Sequence, residues 1–303
     1  MALSLCDTNR VIVLVVVDPD SMAGNLDWTG LDVLVADSLG DALELVARQG
    51  QKSDGTLLVT DLPGLTHEHS QSIRSWGYNE LVHLCLAGSD SYGCDLLITG
   101  FPADLPARTL AGKVLRGPEF LVVRPEVVAA RPVNLRSVGP IASVLVAMGG
   151  TDPGGKAQRT LDWFRATGVR ASVLASPGMD AERLALMLAG HGTVVSGEHP
   201  QDVVQALISN ALVVTQGGLL SAEAMCLGSP VACIQWQDLG SFVKALATSG
   251  FVTLLDLDLS EGERLGWLQS QPWEIRRAEA FEVVDGLGAT RIADEILSYM
   301  GDD

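Results

Sequence analysis

The sequence predicts an α/β protein built on parallel sheets, and three observations carry that expectation. Short runs of aliphatic and β-branched residues, such as Val11 to Val17, recur with no polar alternation, as strands buried on both faces require. Amphipathic segments that end in glycine lie between them, so strand and helix alternate. The chain has 303 residues, of which 47% are hydrophobic and 19% charged, enough for about two domains with large cores.

Taken in order, Val11 to Val17 form the first buried strand, and DPDSMAGNLDWTG is a loop. LDVLVAD is a second strand, DALELVARQG a helix ended by Gly50, and TLLVTD a third strand followed by the loop LPGLTHEHS. A helix is expected over about Ser70 to Trp76, then short strands at ELVHLCL, CDLLITG and EFLVVRP. Val123 to Pro140 carries three prolines and no strong periodicity, so a domain boundary is expected near Pro132. The rhythm then restarts. SVLVAMGG is strand and glycine turn, KAQRTLDWFRATG helix, ASVLAS strand, AERLALMLAGHG helix, TVVS strand and PQDVVQALISN helix. After the stretch 211–235, FVKALATSG is a helix and VTLLDL a strand, and Trp273 to Met300 is a helical tail. Two Rossmann-like domains are expected, 1–132 and 133–303. A ligand is expected in the cleft over the carboxyl ends of the strands.

The formal net charge is −17, which argues against nucleic acid or an anionic membrane surface as a partner. The seven apolar residues at the start are too few to span a bilayer. No basic segment and cleavage site flank them as in a secretory signal, so a cytoplasmic protein is expected. Cys6, Cys85, Cys94, Cys226 and Cys233 show no metal spacing and read as small hydrophobes in a reducing compartment. Neither a metal nor a cofactor is expected.

One stretch concentrates chemistry: ALVVTQGGLLSAEAMCLGSPVACIQ, Ala211 to Gln235. It reads as strand, Gly217-Gly218 turn, helix from about Leu219 to Leu227 stopped by Gly228 with Pro230 beyond, and strand VACI. The open N–H groups and dipole of that helix form a site for an anion such as phosphate. Glu223, inside the helix among small and apolar residues, could accept hydrogen bonds from a ribose diol.

The Gly pair, Glu223 five residues on, Gly228 five further and Pro230 resemble the donor-nucleotide motif of GT-B-fold nucleotide-sugar enzymes. Within that group the chain is most similar to the UDP-sugar hydrolase of pseudaminic acid biosynthesis and its spore-coat polysaccharide relatives. Val146–Gly155 resembles that family's GGxDP loop, Gly93–Gly100 its CDLLL strand, and Gly117–Glu126 its G-P-x-(Y/F)-x-x-L-R-P-E segment. TLLVTDLPGLTHEH resembles its V-V-V-D-x-Y-G-L strand and loop. The resemblance implies a GT-B-like fold with the terminal helix packing back across the first domain, a UDP-sugar ligand, pyrophosphate over Gly217 and Gly218, and the uridine ribose on Glu223.

Three departures touch chemistry more than fold. The family's opening Gly-x-Gly-His loop has no counterpart, since no His precedes His67; the Tyr of D-x-Y-G-L is lost in Asp61-Leu62-Pro63-Gly64-Leu65. Leu219 and Leu220 stand where Ser or Thr is usual, leaving Ser221, and Gln237-Asp238-Leu239 replaces an Asn-Gln. Further candidates are Gly149, Gly150 and Thr151 as a second glycine loop, with Thr151 or Asp152 capping the next helix. His199 would sit near the uracil by resemblance. His67 and His69 are weak substitutes for the missing base, and read more simply as exposed loop histidines, with no third ligand for a metal. No Gly-x-Ser-x-Gly elbow surrounds Ser21 or Ser221, and the 146–158 segment lacks P-loop spacing. The expected function is a UDP-sugar hydrolase or glycosyltransferase of surface-glycan or nonulosonic acid biosynthesis. The alternative is an inactive relative that binds a nucleotide-sugar or a partner protein.

Overall fold

The structure is a computed structural model that describes residues 13–17, 32–36, 38–48, 57–60, 66–78, 80–84, 93–100, 111–135, 137–149, 152, 155–175, 179, 181–188, 190, 192–234 and 240–299. These fall into two compact units, one drawn from 1–120 and 288–303, the other from 121–287.

In the first unit, β1 (Val13–Val17) pairs in parallel with β2 (Asp32–Ala36), and helix α1 (Leu39–Arg48) follows. β3 (Leu57–Thr60), β4 (Glu80–Leu84), β5 (Leu96–Thr99) and β6 (Lys113–Arg116) form a parallel sheet in sequence order, with α2 (His67–Ser75) joining β3 to β4. Ile73, Leu81 and Leu97 are fully buried between α2 and this sheet. Asp95 ties the layers: its carboxylate accepts from the Leu81 N–H at 2.8 Å and pairs with Arg74 at 2.8 Å.

The strand expected at EFLVVRP does not form. Pro118 opens a single 3-10 turn, Pro118–Phe120, and 121–124 runs without a strand partner to α3 (Pro125–Ala130), with Arg124 in extended backbone. Two prolines explain it: neither can donate to a ladder, and Pro125 has the φ that suits a helix start. Lys113–Arg116, outside the expected strands, pairs with β5 instead.

The compact division falls at Leu121, eleven residues before Pro132, because α3 packs on helices of the second unit. Arg131 holds it there. Its guanidinium donates to the carbonyls of Cys226 at 2.6 Å, Phe281 at 2.7 Å and Val284 at 2.9 Å, and stacks 3.5 Å from the Phe281 ring centre. The helical tail is likewise interrupted. α10 (Trp273–Val283) stops before Gly286, and α11 (Gly288–Tyr299) counts with the first unit, where Arg291 donates to the Glu119 carbonyl.

The second unit is a six-stranded parallel sheet: β7 (Ser143–Ala147), β8 (Arg170–Ala175), β9 (Gly192–Ser196), β10 (Leu212–Thr215), β11 (Val231–Cys233) and β12 (Thr253–Leu254). Its spatial order is β12-β11-β10-β7-β8-β9, so the chain winds outward from β7, then returns to β7's other side at β10. That is the doubly wound Rossmann order. The helices between are α4 (Lys156–Arg165), α5 (Ala181–Leu188), α6 (Pro200–Ser209), α7 (Leu219–Cys226) and α8 (Gly240–Thr248). Trp163 and Phe164 of α4 are buried in the main core with Val144, Val146 and Val173. α9 (Glu261–Ser270) goes beyond the expected helices; its Ser260–Glu263 capping box was a readable start signal, weakened by Gly262 and Gly266 inside the helix. Among the described residues, no helix is long and apolar enough to cross a membrane.

His83 is buried on β4 with Nδ1 2.8 Å from Thr60 Oγ1, and burial lowers its pKa from 6.5 to about 4. The unfolded chain therefore takes up a proton that the folded one refuses between these values, so stability falls as pH drops from 6.5 towards 4. Urea unfolding of wild type and His83→Gln across this window should show wild type losing up to about 3 kcal/mol more. Equal losses would refute a neutral buried imidazole.

Candidate functional site

The reversal of strand order at β7 and β10 decides where two glycine loops meet. Thr215, the last residue of β10, pairs with Ala147, the last of β7. Met148-Gly149 leaves one strand and Gln216-Gly217-Gly218 the other, at the carboxyl edge of the sheet. Asp152 and Gln216 link the two exits, with Gln216 Nε2 donating to Asp152 Oδ1 at 3.3 Å.

Two helices start here, and their first turns differ. Asp152 caps α4: its two carboxylate oxygens accept from the Lys156 and Ala157 N–H groups at 2.9 and 3.1 Å. This is the cap foreseen for Thr151 or Asp152; Gly150 and Thr151 lie outside the described residues. The N-cap residues themselves are both glycine, Gly155 for α4 and Gly218 for α7, and neither supplies a side-chain cap. Gly218 has φ 74° and ψ −156°, a region essentially reserved for glycine. Gly217 has φ 97°, and a Cβ there would stand 2.6 Å from Val243 Cγ2. Both positions thus need glycine for backbone reasons alone, and the outcome is a helix whose N-cap residue supplies no anion to its positive end.

Leu219 is 48% exposed and Leu220 half-buried, whereas every residue from Ser221 to Cys226 is buried. Ser221 does not offer its hydroxyl outward: Oγ donates to the Gly218 carbonyl at 2.6 Å inside the first turn. Glu223 is 2% exposed. Its Oε1 accepts from Arg124 Nε at 2.6 Å, while Oε2 is buried with no hydrogen-bond partner. Burial pushes the Glu223 carboxyl pKa up, and Arg124 opposes that rise. At the far end of the helix, Arg131 on the Cys226 carbonyl supplies the positive charge that a helix C-terminus favours.

Arg124 was not singled out in the sequence, although it lies in the R-P-E segment that carries part of the family resemblance. It occupies the N-cap of α3 and is fixed in extended backbone by the proline that follows.

His199 is exposed at the N-cap of α6, following β9, so it stands on the same carboxyl edge as the glycine loops, two strands from β7. His67 and His69 are not loop residues. They occupy the first turn of α2, and His69 completes a capping box with Thr66: Thr66 N–H donates to His69 Nδ1 at 3.1 Å, and His69 N–H to Thr66 Oγ1 at 3.4 Å. His67 Nδ1 is buried without a partner against Gly93. Among the described residues, no three His, Cys, Asp or Glu side chains gather as a metal site.

Two cavities lie away from the glycine loops. One, of about 400 Å³, opens at Ser143 and Arg170, the first residues of β7 and β8. The other, of about 480 Å³, lies beside His67 and Arg74 in the first unit. Ligands of open α/β sheets bind at the carboxyl ends of strands, where the order reverses, which favours the loops after β7 and β10 over either cavity.

No protein-family model matches the chain, and no curated protein matches its sequence. Solved structures do match. The chain is similar to MurG of Acinetobacter baumannii at 12% identity and TM-score 0.62, covering 98% of this chain and 94% of that one. It is similar to the calicheamicin glycosyltransferase CalG4 at 14% identity and TM-score 0.61, covering 99% and 94%. It is also similar to a putative UDP-N-acetylglucosamine 2-epimerase of Listeria monocytogenes at 13% identity and TM-score 0.61, covering 99% and 92%. The chain shares with them the GT-B-like fold of two Rossmann-like α/β domains.

Removing one partner of a buried ion pair strands the other charge. Arg124→Met should therefore cost about 1–3 kcal/mol in urea unfolding, and less in a Glu223→Gln background, with a coupling of at least about 0.5 kcal/mol in the double-mutant cycle. Strict additivity would show that the pair does no work.

Proposed function

We propose that the chain binds a UDP-sugar at the carboxyl edge of the second-unit sheet and acts on it as a hydrolase or glycosyltransferase. The observation that carries this is the start of α7 at the strand reversal, with no side-chain cap from Gly218, four residues from a buried carboxylate with one bare oxygen. The pyrophosphate lies over Gly217 and Gly218, where first-turn N–H groups and the helix dipole favour negative charge. Glu223 Oε2 accepts from the ribose, and Gly149 borders the same site from β7. His199 stands on the uracil side. Ser221 keeps the first turn closed from inside. The donor set supports this reading: backbone amides suit an anion, and a desolvated carboxylate suits hydroxyl groups. The likeness to a putative UDP-N-acetylglucosamine 2-epimerase and to a glycosyltransferase supports the ligand class. The motifs shared with the pseudaminic acid hydrolase and spore-coat relatives support a place in surface-glycan or nonulosonic acid biosynthesis. Cleavage beside the pyrophosphate is assisted by the α7 dipole acting on the leaving phosphate.

Titration calorimetry with UDP should show binding to wild type that weakens about tenfold or more in Glu223→Ala. Wild type that fails to bind UDP overturns the proposal.

Binding without turnover is the second reading. One observation favours it: of the two histidines weighed as bases, His69 has its Nδ1 engaged by the Thr66 cap. NMR of a UDP-sugar panel decides. Steady product formation that Glu223→Ala abolishes eliminates this second reading, and no product across the panel eliminates the enzyme.

A further inference from the structure

Arg124 and Glu223 form an uneven pair. The Glu223 side chain is 3% exposed and the Arg124 side chain 33%, so the acid is dry and the guanidinium is partly wet. The side-chain contact uses one nitrogen and one oxygen, Nε to Oε1 at 2.6 Å. A structural fork would use two parallel bonds. Here the second carboxylate oxygen is left bare and buried, where an unmet acceptor is costly. A carboxylate held by one oxygen has its plane set by that bond. The backbone that carries the guanidinium is fixed in turn, because Arg124 stands in extended backbone before Pro125, at the start of a helix packed on α7.

We propose that Arg124 is a positioning residue: by engaging Oε1 it turns Glu223 so that Oε2 is presented to the ribose hydroxyls of a nucleoside diphosphate. This rests on the nucleotide reading above. Arg124 is assigned no contact with the sugar. It acts through Glu223, and its effect belongs to the ribose and not to the phosphates. A purely structural ion pair, or an arginine that gripped phosphate, would act on every nucleoside diphosphate alike.

The test is the ratio of affinities for UDP and 2′,3′-dideoxy-UDP, measured by calorimetry on the full chain. Wild type should prefer UDP by about tenfold or more. Arg124→Met should bring UDP down to the dideoxy value and leave affinity for the dideoxy ligand unchanged. Arg124→Lys, which keeps the charge and loses the Nε geometry, should retain part of the preference; it also carries the test if Arg124→Met does not fold. An undiminished preference in either variant, or equal loss for both ligands, overturns the inference. Wild type that binds both ligands equally overturns it while leaving nucleotide binding intact. Wild type that binds neither overturns the nucleotide reading itself, and this inference with it.

Discussion

The parallel pairing of β10 with β7 is the constraint on which the candidate site depends. After β9 the chain returns to the open side of β7 and builds the sheet in the other direction. A right-handed crossover places helices on opposite faces before and after the reversal, so the loops leaving β7 and β10 diverge and leave backbone exposed between them. Residues 65 positions apart, such as Gly217 and Asp152, become neighbours of one sheet edge through this pairing. The two glycine loops lie together because the two strands do.

α7 shows how the core and the candidate site compete for one short helix. Apart from its first turn it is buried all round, as a helix between sheet and neighbours must be. A glutamate in such a helix costs stability unless something offsets it, and Arg124 engages one of its two oxygens. The charges around the helix are graded in one direction. Gly218 at the start carries none, Arg124 stands midway against Glu223, and Arg131 covers the Cys226 carbonyl at the end. Arg277, 5% exposed, continues this at the next turn by donating to the Gly228 carbonyl. The helix is thus anchored at its carboxyl end and left without a side-chain cap at its amino end.

Much of this was legible in the sequence. The continuous apolar runs from β7 to β11 gave their strands, and Gly217-Gly218, Gly228 and Pro230 marked both ends of α7 to within a residue. Periodicity failed where prolines overrode propensity. Phe120 to Val123 has strand composition, but Pro118 and Pro125 bound it too closely for a ladder. It failed again at α9, where two glycines diluted a helix that Ser260 and Glu263 had announced. Arg124 was invisible for another reason. A salt bridge across 99 residues leaves no local pattern, and only the R-P-E context pointed to the position.

The remaining question is how a chain of charge −17 would attract an anion. Long-range repulsion slows approach, but at physiological salt charges are screened beyond about 8 Å, so contact groups decide affinity. Asp152 is the nearest test of that argument. It is a carboxylate already resting on a helix start, α4, where it takes two N–H groups. The protein therefore demonstrates anion binding by a helix start on this same sheet edge, with its own side chain as the anion. Both helices have glycine at the N-cap, Gly155 and Gly218, and the Asp152 carboxylate goes to α4, where its bonds to Lys156, Ala157 and Gln216 hold it. An internal anion satisfies one helix start on this edge, and that local contact says more about anion binding here than the net charge does.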